Sequence, residues 1–105
     1  MRWMRLVGQE VLDKFKRKHA DARAWVDAWA KTVQTAMWDS IDDVQLDYPH
    51  ADGVPLNSGN VVTVFNCKGN AYRLLSYVLY AIGTVQVLEI LPHAEYSKER
   101  WKQRY

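Results

Sequence analysis

The sequence is short of cysteine, histidine and long apolar runs. Cys67 is the only cysteine among 105 residues, so no intramolecular disulfide can form. The fold must rest on packing alone, which suits a reducing compartment. No apolar run approaches the ~18 residues that a membrane span needs. The opening Met1-Arg2-Trp3-Met4-Arg5 is not followed by the apolar stretch of a secretory signal, so a cytoplasmic protein is expected. Three scattered histidines and one cysteine offer no zinc-ligand spacing. There is no Gly-rich phosphate loop and no serine in a nucleophile motif. Neither a metal nor another cofactor is expected.

What is present is aromatic and unevenly charged. Five Trp and six Tyr, in a chain that is 49% hydrophobic, can fill a single core, so residues 1–105 are read as one domain. The net charge is only +2. Residues 1–19 carry six basic and two acidic side chains, residues 20–60 two basic and seven acidic, and residues 61–105 six basic and three acidic. If the two ends meet, they form a positive face suited to a polyanion. Solvated helix faces are the plainer alternative.

The patterning predicts an α+β protein. Arg2 to Val7 reads as an opening strand. From Gly8, Val11, Leu12 and Phe15 mark one face of a helix whose last turn is the basic Lys16-Arg17-Lys18-His19. Asp21 is placed to cap a second helix reaching about Met37. Its buried stripe is Trp25, Trp29, Val33 and Ala36, widened by Ala22, Val26 and Met37. The short link predicts a helical hairpin. Asp39 to Asp52 reads as an acidic loop with a turn of helix, holding Ile41, Val44, Leu46 and Tyr48.

Beyond it the pattern turns β-branched. Val61 to Asn66 is a predicted strand, and Lys68-Gly69-Asn70 a tight hairpin turn. Tyr72 to Tyr80 is a second strand, and Val85 to Leu91 a third, stopped by Pro92. Strands apolar on both faces predict cover on both faces. Ser97 is placed to cap a short basic helix, Lys98 to Tyr105. The expected architecture is an N-terminal strand and helical hairpin packed on a small twisted antiparallel sheet, with a basic C-terminal helix.

Two stretches resemble the HigB-type toxins of type II toxin-antitoxin systems, in the RelE/ParE superfamily. One is Val64-Phe65-Asn66-Cys67-Lys68-Gly69-Asn70-Ala71-Tyr72-Arg73-Leu74-Leu75. The other is His93-Ala94-Glu95-Tyr96-Ser97-Lys98, with Trp101 behind it. Asp47-Tyr48-Pro49-His50-Ala51-Asp52 is a weaker match, and Met1-Arg2-Trp3 looks like an extension ahead of Met4. The sequence departs from the family at Pro92, usually Thr, and at Ser97, usually Asp. The resemblance implies a RelE-like fold, and a toxin that cuts mRNA, often mRNA in the ribosome. It also implies a helix-turn-helix antitoxin as partner. ParE members of the superfamily instead inhibit gyrase without cutting RNA, and a decayed toxin that only binds its antitoxin is a further alternative.

RNA cleavage needs a base for the 2′-OH, cations for the phosphate charge and an acid for the leaving oxygen. His93 is the candidate base or acid. Arg73 offers a planar fork to phosphate, or else a structural pair with Glu89. Lys68 adds a point charge at the hairpin tip. Tyr96 can stack on a base or donate its hydroxyl. Glu95 is a weaker candidate base. Lys98, Arg100, Lys102 and Arg104 are candidate backbone grips, joined by Asn66 and Asn70, which the turn also explains. His19 and His50, without a supporting cluster, read as surface residues.

Overall fold

The computed structural model describes residues 3–105. The start of the opening strand at Arg2 lies outside them. The chain forms β1 (Arg5–Val7), α1 (Gln9–Lys18), α2 (Arg23–Thr35), α3 (Ile41–Asp47), β2 (Asp52–Pro55), β3 (Val61–Cys67), β4 (Tyr72–Leu79), β5 (Thr84–Pro92) and α4 (His93–Ser97), then a 3₁₀ turn over Arg100–Gln103. The strands make one sheet in the order β1-β5-β4-β3-β2.

The β3-β4-β5 meander is as expected. The sheet is nonetheless mixed and wider, because β1 joins β5 in parallel and β2 extends the other edge antiparallel to β3. Strand β2 falls at the end of the segment read as a loop. It carries Gly53 and Pro55, which weaken a central strand but sit comfortably on an edge one. The turn of helix expected in that segment is the seven-residue α3. Val44 is its buried anchor, whereas Leu46 is exposed.

Alternation along the strands divides the core in two. Phe65, Cys67, Leu74, Val78, Val85 and Val87 face the helical layer. Val62, Val64 and Leu75 face the other way and are closed over by Leu56 and Trp101. Burial raises the Cys67 thiol to about 12, so it stays protonated at neutral pH. On the helical side, rings set the spacing of the layers. Trp29 and Tyr48 meet Phe65 edge-on at 5.4 and 5.3 Å, and Trp38 stacks on it at 6.3 Å. The Trp38 indole N–H donates to Asp47 at 2.9 Å, which fixes α3 to this cluster.

Helix α2 stops at Thr35 because Ala36 turns extended and its carbonyl accepts from the Met4 N–H at 2.9 Å. Met37 therefore lies beyond the helix and is exposed, rather than widening the buried stripe. The two long helices are joined by a 3₁₀ turn at Ala20–Ala22, and α1 lies chiefly along β5 instead of along α2. Gly8 makes that approach possible. It is left-handed, and a Cβ on it would stand 2.8 Å from the Val87 carbonyl oxygen.

The expected C-terminal helix from Ser97 is not formed. Ser97 ends α4, where its hydroxyl donates back to the His93 carbonyl at 2.9 Å, and the final turn is 3₁₀ with Glu99 ahead of it. This segment places Trp101, only 1% exposed, as the lid of the second core. Trp101→Ala is expected to lower stability by about 3–5 kcal/mol, the usual range for removing a buried large ring. Urea unfolding followed by far-UV circular dichroism measures it. A loss below ~1 kcal/mol would mean that the lid is not needed.

Candidate functional site at the hairpin tip

The site forms where β3 turns into β4. Lys68 and Gly69 both adopt left-handed conformations, at φ 51° and 65°, and close the turn. The Ala71 N–H donates to the Lys68 carbonyl at 3.3 Å. The chain returns to this point at the end of β5, since Tyr72 pairs with Pro92 and the His93 N–H donates to the Ala71 carbonyl at 3.0 Å. Pro92 is the last residue of the strand, where no further ladder donor is needed. The turn and the first residue of α4 are thus held together by backbone.

Arg73, opposite Asn66 and Leu91, lies on the face covered by Trp101. Its guanidinium sits 5.6 Å from the centroid of the Tyr96 ring. One Nη donates to the Tyr72 carbonyl at 3.1 Å and the other to Asn70 Oδ1 at 3.4 Å. A guanidinium has five N–H donors, so this anchoring leaves donors free. The pairing with Glu89 allowed by the sequence is not made. A bulge between Leu75 and Ser76 in the β4–β5 register sets Glu89 opposite Leu75, and Glu89 pairs with Arg104.

Tyr96 stacks on Trp101 at 5.4 Å with 14° between the planes, and the Trp101 indole N–H donates to the Tyr96 carbonyl at 3.2 Å. Burial raises the Tyr96 phenol, and the opposing charge of Arg73 does not cancel that effect, so the hydroxyl keeps its proton at neutral pH. His93 is exposed, with the Ser97 hydroxyl 3.3 Å from Nδ1. Glu95 forms an ion pair with Lys98 at 3.5 Å.

Lys68 does not join this group. Its ammonium lies 3.4 Å from Asp21, across the turn on the side of the helices. Asp21 does not cap α2. Its carboxylate accepts from the Tyr72 hydroxyl at 3.1 and 3.2 Å. His19, expected on the surface without a cluster, is half-buried here. Its ring stacks on Phe15 at 4.5 Å, and its Nδ1 is 3.3 Å from the Tyr72 hydroxyl. The sequence reading missed this group because its members are about fifty positions apart. The signal present was that His19 and Asp21 lie two residues apart at the link between the helices.

The other candidates spread outward from the tip. Asn66 lines a small recess with His50 and Pro49. Lys98, Arg100 and Lys102 line a recess beside Leu56 and Asn57, where Lys102 pairs with Glu99 at 2.9 Å. Arg104 is held by Glu89 and stacks over Tyr105. Among the described residues, no three His, Cys, Asp or Glu side chains are grouped to hold a metal ion. No helix among them is long and apolar enough to cross a membrane.

A helical layer over a mixed five-stranded sheet is the arrangement of a small RelE-like α+β protein. The HigB toxin family, described as the RelE-like toxic component of a toxin-antitoxin system, matches residues 22–99. The chain belongs to this family and is the toxin of a toxin-antitoxin pair, with an antitoxin as its partner. The matched span includes Arg73, His93 and Tyr96 and stops short of His19 and Asp21. No curated protein matches the chain.

Some desolvation opposes the charge on Asp21, but the Tyr72 hydroxyl and the Lys68 ammonium outweigh it and hold the carboxyl below its usual range. A carboxyl lowered in the folded state stabilises at neutral pH, and that contribution disappears as pH falls through and below the ordinary carboxylate range. Asp21→Asn should therefore be less stable than wild type at about pH 7, and the gap should close near about pH 3. Urea midpoints at the two pH values test this. An equal gap at both would show that the carboxylate charge is not what Asp21 contributes.

Proposed function

We propose that this toxin is an endoribonuclease that cleaves mRNA, including mRNA bound to the ribosome, by a mechanism that needs only side chains. The observation that carries the reading is the gathering of Arg73, Tyr96 and His93 at one exposed hairpin tip, although 20 or more positions separate Arg73 from the other two. The Arg73 fork is pre-oriented by Tyr72 and Asn70, so it can meet a phosphate with little reorganisation. His93 supplies an exposed imidazole that can accept or donate a proton. Tyr96, held flat by Trp101 and capped by Arg73, offers a hydroxyl donor and a ring edge to a splayed base.

In this reaction the 2′-oxygen attacks phosphorus as it loses its proton to a base. The P–O5′ bond breaks, and the 5′-oxygen takes a proton from an acid. The products are a 2′,3′-cyclic phosphate and a 5′-hydroxyl. Arg73 stabilises the charge that builds on the phosphorane oxygens. Lys98, Arg100, Lys102 and Arg104, with Asn66, extend the grip along the backbone. We read residues 1–105 as one RelE-like domain, since both cores share a single sheet. Its site of action is then the cytoplasm, and its partner a helix-turn-helix antitoxin.

The test is induced expression in a bacterial host, with growth followed and the 5′ ends of mRNA mapped. Wild type is expected to arrest growth and create new mRNA ends. Arg73→Ala and His93→Ala, both folded by circular dichroism, should each lower cleavage by about 100-fold or more. Arrest with intact mRNA would overturn the nuclease reading and direct attention to a non-enzymatic target such as gyrase.

A further inference from the structure

We propose that an acidic-rimmed apolar groove between α3 and the outer strands of the sheet holds the antitoxin, through a segment whose apolar side chains are flanked by lysine or arginine. The inference rests on membership of the toxin-antitoxin family and does not depend on the nuclease reading. It begins with a part of the sheet that the helices leave open. Val61 and Thr63 of β3 lie on the helical side by alternation from Phe65, and Val78 of β4 joins them there. A groove of about 630 Å³ opens over these three residues. Ile41, at the start of α3, and Tyr80, just after β4, complete its apolar lining. Val61 is exposed, and Ile41 and Tyr80 are only half-buried. Apolar surface gathered in a concavity marks a binding site, whereas single exposed apolar residues do not.

The rim of the groove is acidic. Asp39 lines it. Asp43 faces the same space: burial raises the Tyr80 phenol against a hydrogen bond with Thr63, and the Asp43 charge raises it further. The Asp43 carboxylate also accepts from the Asp39 N–H at 2.8 Å, so one turn fixes both side chains. Elsewhere in the acidic middle of the sequence, Asp21 pairs with Lys68, Asp27 with Lys16, and Asp47 takes the Trp38 N–H. Among the described residues, Asp39, Asp42 and Asp43 form no ion pair. The unpaired negative charge therefore collects beside the groove. Carboxylates repel phosphate, so RNA is excluded as the occupant. A cationic segment meets Asp39 and Asp43, while its apolar side chains displace water from Val61 and Tyr80. The protein partner that the family assigns to this chain is an antitoxin, and the groove specifies the chemistry of the segment it takes.

The groove is remote from the hairpin tip. Thr63 and Val61 precede Cys67, the last residue of β3, by roughly 13 and 20 Å of strand at ~3.3 Å per residue. A segment seated here leaves Arg73 and Tyr96 outside its contact. Gly53 of β2 also lines the groove, and a Cβ on it would meet Val61 at 3.4 Å, an ordinary contact. Its backbone is not left-handed. A leucine at this position therefore fills groove space without backbone strain.

The experiment measures the affinity of the toxin for its antitoxin, both purified from their complex, by isothermal titration calorimetry at low and high salt. Asp39→Lys is expected to weaken binding by about tenfold or more and to flatten its loss with salt. Gly53→Leu should weaken binding by about tenfold or more and keep the wild-type salt dependence. Arg73→Ala, a distant site, should stay within about threefold of wild type. Groove variants that fold, as judged by circular dichroism, and bind like wild type overturn the proposal. So does weak binding by Arg73→Ala beside unaffected groove variants, because that seats the antitoxin on the tip. A toxin that pairs with itself in sedimentation, through a contact that Gly53→Leu abolishes, gives the groove to a second copy and overturns it as well. If Gly53→Leu does not fold, Asp39→Lys, a change at an exposed side chain, decides. A toxin that cuts no RNA defeats the nuclease reading and leaves this measurement standing.

Discussion

Side chains along β4 alternate between the two faces of the sheet, and both clusters at the hairpin tip depend on that alternation. Tyr72 points to the helical layer, where it meets His19 and Asp21. Arg73, the next residue, points to the face closed by Trp101, where it meets Tyr96. A register slip of one residue would exchange the two faces and disperse both clusters. The register is secured from both sides, because each face of β4 is buried against its own core.

The bulge between β4 and β5 is the second constraint. Val85 and Val87 face the helices, and so does Ile90, which breaks the two-residue rhythm. The extra residue turns Glu89 away from the helical core toward Arg104. Without it, a carboxylate would enter an apolar layer at considerable cost. On that face Glu89 is taken up by Arg104, and the remaining donors of Arg73 stay open to a ligand.

With no disulfide and a short chain, order at the tip has to come from rings. Trp101 serves two ends: it seals the second core, and it supports the Tyr96 ring that Arg73 covers. Phe15 does the same for His19 on the other face. Packing thus orders both clusters: Tyr96 and His19 are each backed by a buried aromatic.

From the sequence alone, periodicity was enough to establish α1, α2 and the β3-β4-β5 meander, because each buries a face of its own and the spacing records it. The motifs around Arg73, His93 and Tyr96 were legible for a similar reason, since each lies within one short stretch. Tertiary structure alone decided the rest. The opening strand was read from the sequence, but its parallel pairing with β5 was not, and β2 is an edge strand of four residues, too short to carry a period. The final turn gave up a regular helix so that Trp101 could seat in the core. Lys68 went to Asp21, and His19 left the surface for Tyr72, through contacts spanning about fifty residues. Local spacing holds no record of such contacts, because they arise only when the folded layers bring distant segments together.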